Sequence, residues 1–135
     1  MQVVDHTAIV VEDLDEALRR WEALTGAQLE IRQIVAHQRV EIAMLRLGDT
    51  RLELIRPTDS DSGVARFLAK RGEGLHHIAF RVDDIVETLG ELIGAGYRVI
   101  DSQPRPGAHG LVAFLHPTST GGVLVELIQP APDTG

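Results

Sequence analysis

Residues 5–29, DHTAIVVEDLDEALRRWEALTGAQL, are matched later in the chain by residues 76–99, HHIAFRVDDIVETLGELIGAGYRV. A shift of 71 residues lays His6 on His77, Ala8 on Ala79 and Asp13 on Asp84, and a shift of 73 carries ELIRP, from Glu53, onto ELIQP, from Glu126. Such self-similarity has to be read before anything else, because each copy is then one half of a paired frame. Two repeats therefore fill the chain.

Each repeat opens with a strand, residues 6–10 or 77–82, rich in the β-branched and apolar residues that suit a pleated, half-buried surface. A helix follows. In the first repeat Asp13 is placed to cap it, with Glu16 three residues on, and Leu14, Ala17, Leu18, Trp21 and Leu24 form the apolar face before Gly26. In the second, Asp84 caps, Glu87 follows, Ile85, Leu89 and Leu92 make the face, and Gly96 stops the helix. Three strand-like runs succeed each helix: residues 29–35, 40–47 and 50–55, then 97–101, 111–115 and 123–128. The order is βαβββ, twice, which makes the class α+β. Between the repeats, PTDSDSG reads as a turn-rich connection, and Val64, Phe67 and Leu68 predict a short helix packed on the body. The expected organisation is one domain over residues 1–135, with repeat one at 3–57, a linker at 58–73 and repeat two at 74–130.

The 135 residues carry 20 acidic against 13 basic side chains, a formal charge of −7, and the basic ones are scattered. That disfavours nucleic acid as a partner. Cysteine is absent, which removes disulfides, thiolate metal sites and cysteine nucleophiles, so any metal must be held by nitrogen and oxygen. No apolar run approaches the roughly 20 residues of a membrane span, and MQVVDHTAIVV lacks a basic segment ahead of an apolar one. No membrane association and a cytoplasmic location are expected.

Four residues sit oddly in their surroundings. Glu53 in RLELI and Glu126 in VLVELI each lie within a strand of apolar neighbours. A buried, unpaired carboxylate costs several kcal/mol or takes up a proton, and a bound cation offsets that cost. His6 and His77 lie on the first strand of each repeat, with Ala8 and Ala79 two residues on, so small side chains leave room beside each imidazole. A single histidine or glutamate in a strand is more often a satisfied core or edge residue. Recurrence of both types at equivalent positions argues otherwise: a pseudo-twofold arrangement would gather two nitrogens and two oxygens around one ion. Imidazole and carboxylate suit Co²⁺, Ni²⁺, Mn²⁺, Zn²⁺ or Fe²⁺, and a six-coordinate ion would keep two positions open for a chelating substrate.

The other histidines carry less. His76 should face away from His77 and be structural. His37, His109 and His116 fall in loops or strand ends, with His109, in PGAHG, a candidate lining for a substrate channel. Glu41, in RVEIAML, is the remaining acid in an apolar strand, on the face of Ala43 and Leu45; its equivalent in the second repeat is Leu111. It thus breaks the symmetry, and is a candidate for an extra proton-transfer group beside the reading as a solvated edge carboxylate.

The duplicated βαβββ frame with histidine and glutamate ligands resembles the vicinal oxygen chelate superfamily, which includes glyoxalase I and extradiol dioxygenases. Within it, AKRGEGLHHIAFRVDDI, RPGAHG and FLHPTSTGGVLVEL resemble the methylmalonyl-CoA epimerase family over nearly the whole chain. The resemblance implies an open, partly barrel-like, eight-stranded mixed sheet around a metal site. Its ligands would be His6, Glu53, His77 and Glu126, holding one divalent ion, cobalt first. The family's acid–base pair falls on Glu41 and Glu126. Position 53 can be glutamine in relatives, and Glu53 makes the site more anionic, as in bacterial glyoxalase I. Thr118 stands where relatives commonly have lysine, removing one candidate contact to CoA phosphates. The implied reaction is metal-assisted α-proton transfer through an enolate on an acyl-CoA, by a homodimer. A glyoxalase I-type lactoylglutathione lyase and a non-catalytic ligand-binding member of the superfamily are the alternatives.

Overall fold

The computed structural model describes residues 3–132. The elements, in chain order, are β1 (Val3–Val10), α1 (Leu14–Thr25), β2 (Gln28–Val35), β3 (Val40–Leu47), β4 (Thr50–Pro57), α2 (Gly63–Arg71), β5 (Gly74–Arg81), α3 (Ile85–Gly94), β6 (Arg105–Pro106), β7 (Gly110–Leu115) and β8 (Val125–Pro130), with 3-10 turns at Ala36–Gln38 and Pro117–Ser119. The expected α+β class and the doubled βαβββ order are what the structure shows, with α2 as the connecting helix. Two compact units result, one of residues 6–76 and one of residues 77–132 with residues 3–5.

In the first unit the strand order is β2-β3-β4-β1. β1 runs parallel to β4, and β3 is antiparallel to both β4 and β2. The turn Gly48–Asp49 is two residues long, with Gly48 at φ 61°, and it fixes the register so that Leu47 faces Thr50 and Met44 faces Glu53. The α1 helix starts where Asp13 accepts a hydrogen bond from the Glu16 amide at 3.0 Å, and ends at Gly26 in the left-handed region. Its Leu14, Ala17 and Leu18 pack with Ala43, Leu45, Leu52 and Leu54 into one core. Each of the fully buried Leu14, Leu45 and Leu54 contributes about 1.5–3 kcal/mol of apolar burial. Leu24, expected on this face, is exposed. At 100° per residue it falls on the edge of the stripe, one residue before the helix ends.

The second unit repeats the plan as β5-β8-β7-β6, with β5 parallel to β8 and β7 antiparallel to its two neighbours. Asp84 caps α3 through the Glu87 amide at 3.1 Å, and Ile85 and Leu89 pack on Ala113, Leu115 and Leu127. The strand expected at residues 97–101 is not formed. Val99 makes one isolated bridge to Leu115, and the pairing strand is the two-residue β6 instead. Pro104 and Pro106 cannot donate to a ladder, and the Asp101 carboxylate occupies the Phe114 amide that a longer strand would use. β8 begins at Val125 rather than residue 123: Gly121 and Gly122, both at positive φ, lead into residue 123, whose carbonyl accepts from the Thr120 hydroxyl.

Candidate metal centre

The two faces of each unit are set by strand alternation. In the first unit Leu52 and Leu54 point to the α1 core, so Glu53, between them, points away from it. Ala8 is the direct partner of Glu53, and His6 lies two residues earlier on the same face of β1. The His6 Nε2 comes to 3.7 Å from Glu53 Oε1. Both residues are buried, at 3% and 7% relative exposure, and Ala8 is fully buried between them. A larger side chain at Ala8 would stand against the carboxylate, which is the local reason for an alanine there.

The second unit builds the same pair. Ala79 is opposite Glu126, His77 lies two residues earlier on that face of β5, and Val125 and Leu127 on either side of Glu126 enter the α3 core. His77 Nε2 is 2.9 Å from Glu126 Oε2, with exposures of 6% and 7%. Phe114, the partner of Glu126 in β7, sets its ring edge-to-face on the His77 imidazole at 5.5 Å.

The structure thus brings together His6 with Glu53 and His77 with Glu126. Carboxylates this deeply buried need a counter-charge. The donors in these two pairs are imidazole nitrogen and carboxylate oxygen, a set that accepts divalent transition metals and not soft, thiolate-selecting ones. His6, Glu53 and His77, all buried, could hold a metal ion.

Glu41 lies elsewhere. Its partner in β4 is Arg56, which puts it on the α1 side of the sheet, on the face opposite Glu53. Arg56 donates to its Oε1 from Nε at 3.3 Å and Nη2 at 3.1 Å, and Arg32 donates to its Oε2 at 3.3 Å. Arg32 also pairs with Asp15 near the start of α1, holding that carboxyl below the usual aspartate range by hydrogen bond and by charge. Glu41 thereby ties β3, β4 and β2 together through ion pairs, on the sheet face opposite Glu53. His76 packs its ring on Phe67 of α2 at 4.9 Å, as a structural residue should. His109 lies in the turn before β7, its carbonyl accepting the Ala131 amide, and His116 caps the 3-10 turn through the Thr118 amide. Phe114, an aromatic in an apolar strand, reads from sequence as core; its place opposite Glu126 is what sets it beside His77.

Residues 5–115 match the model of the Glyoxalase/Bleomycin resistance protein/Dioxygenase superfamily. The ethylmalonyl-CoA/methylmalonyl-CoA epimerase of Cereibacter sphaeroides is 39% identical over 93% of this chain and 96% of its own length. The chain belongs to the methylmalonyl-CoA epimerase family of this superfamily. Among solved structures, the methylmalonyl-CoA epimerase of Mycobacterium tuberculosis superposes with a TM-score of 0.90 and 35% identity, over 96% of this chain and 88% of that one. A methylmalonyl-CoA epimerase in complex with methylmalonyl-CoA and NH4+ gives 0.89 and 37%, over 95% and 94%. The α+β frame of paired βαβββ modules is thus that of the epimerase family. The superfamily match ends before Glu126, whose place beside His77 is read from the internal repeat and from the 2.9 Å pair the two side chains make.

Proposed function

We propose that this chain interconverts (R)- and (S)-methylmalonyl-CoA by moving the proton at C2, and that His6, Glu53, His77 and Glu126 hold one divalent ion as a single domain built from two half-sites. The duplicated, buried imidazole–carboxylate pair carries this reading, in a chain whose relatives are epimerases of that substrate. When bound, the ion supplies Lewis-acid stabilisation of charge developing on the thioester oxygen, an effect of several kcal/mol.

The protein's own groups have three tasks. His6 and His77 would offer Nε2 to the ion. The buried walls around them exclude water, which strengthens every electrostatic interaction there. Epimerisation also needs a proton taken from one face of C2 and another returned to the opposite face, which calls for two bases. Glu126, through Oε2, is one. With Glu41 on the far side of its sheet, Glu53, through Oε1, is the second, so that each repeat supplies one acid–base group and the substrate passes through an enolate between them.

Cobalt is the ion we propose, with nickel, manganese, zinc and iron compatible with the same donors. A homodimer is supported by the edge strand β2, whose Leu29, Ile31 and Ile34 are exposed. No helix among the described residues is long and apolar enough to cross a membrane.

Incubation of metal-loaded protein with (R)-methylmalonyl-CoA in D₂O tests the reaction. Deuterium should enter C2 as the epimers equilibrate; no exchange and no interconversion would reject the assignment. Turnover of methylglyoxal with glutathione instead would transfer it to a glyoxalase I-type lyase.

A further inference from the structure

We infer that Phe114, braced by Arg105 and Asp101, is a positioning residue for the ligand His77; this rests on the metal-site reading above. Phe114 faces Glu126 across the β7/β8 ladder, so its ring stands on the ligand-bearing side of the sheet. It meets the His77 imidazole edge-to-face, with 5.5 Å between centroids and 88° between planes. The Arg105 guanidinium lies 5.5 Å from the centre of the same ring. Asp101 then closes the assembly: its Oδ1 accepts from Arg105 Nε at 3.2 Å, and its Oδ2 accepts the backbone amide of Phe114 at 2.9 Å. One carboxylate thereby holds both the cation over the ring and the backbone that carries the ring. Rotation of the imidazole about its own axis would have to displace a side chain fixed by these contacts.

The position equivalent to Phe114 in the first repeat is filled differently. The residue facing Glu53 is Met44, an unbranched and adaptable thioether with no ring to set against His6. The histidine–glutamate separations follow the same division, 2.9 Å in the braced half and 3.7 Å in the other. Groups that orient a ligand histidine govern affinity without touching the ion, because a ligand held in its bound orientation loses less freedom on binding. The second repeat thereby presents His77 beside Glu126 in a fixed orientation.

The test is metal affinity and ligand-field spectrum, with no substrate present. Wild-type protein and the Phe114→Leu, Phe114→Tyr, Arg105→Gln and Met44→Leu variants are loaded with Co²⁺ and titrated with a chromophoric chelator. Phe114→Leu should weaken binding about tenfold and change the visible Co²⁺ bands, with Arg105→Gln weaker by roughly threefold. Phe114→Tyr, which keeps the ring, and Met44→Leu should stay within about twofold of wild type. A folded Phe114→Leu with wild-type affinity overturns the inference, as does an equal loss in Met44→Leu. Should Phe114→Leu not fold, wild-type affinity and spectrum in Arg105→Gln overturn it as well. Wild-type protein that binds no ion would instead overturn the metal-site reading, and this inference with it.

Discussion

Replacing Glu41 by glutamine separates a structural ion pair from a catalytic base, because the two roles predict effects of very different size on different observables. Glu41 accepts three hydrogen bonds from Arg56 and Arg32, with its side chain 16% exposed and the arginines about one-third exposed. Glutamine retains one carbonyl acceptor, loses the charge, and leaves Arg32 still paired to Asp15. Solvent screening at the guanidinium groups lowers what the lost charge is worth, so a cost of about 1–2 kcal/mol is expected. For a chain of this length that is a fall in Tm of roughly 3–8 °C. Turnover, measured by NMR or a coupled assay on metal-loaded protein, should stay within about threefold of wild type, whereas loss of a general base costs about 10²–10⁴. A turnover loss of a hundredfold or more with Tm unchanged would refute this placement of Glu41.

Changing Glu126 to glutamine removes one of the two proposed bases while keeping an oxygen donor, and turnover should fall by about 10² or more while part of the metal is retained, read by elemental analysis beside kinetics. Gly110 sits at φ +153°, and a Cβ there would stand 2.2 Å from the Gln129 carbonyl oxygen. Gly110→Ala should therefore destabilise by at least about 2 kcal/mol in denaturant titration, and a variant as stable as wild type would contradict the packing described. Burial pushes the Glu30 carboxyl up, but Arg51 and Arg46 outweigh it and leave it lowered from 4.5, and Arg32 lowers Asp15 from 3.8. Both folded values lie below the unfolded ones, so the stability they add is present above those values and is lost as pH falls further. A Tm profile should decline on acidification below pH 4.5, and less steeply in Glu30→Gln.

Much of this architecture was legible because the repeat reports on itself. The Asp13 and Asp84 caps, the helix faces led by Leu14 and Ile85, and the two histidine–glutamate pairs recur at matching offsets, and each stands where its counterpart implies. The short β6 was not legible, since residues 97–101 have strand-like composition while the competing device is the Asp101 side chain capturing a ladder amide. Strand alternation puts Glu41 on one face with Ala43 and Leu45, but does not show that this face carries α1. The two-residue turn at Gly48–Asp49 held the answer, since it pairs Met44 with Glu53 and Glu41 with Arg56 and so separates the two acids. An isolated strand shows which residues share a face; the hairpin register shows what they share it with.

Metal stoichiometry in single-histidine variants tests the central claim most directly. Elemental analysis of purified, metal-reconstituted protein should give one divalent ion per chain, and both His6→Ala and His77→Ala should lose it. Two ions per wild-type chain, or a full equivalent retained after either substitution, would contradict a single ion shared by the two repeats.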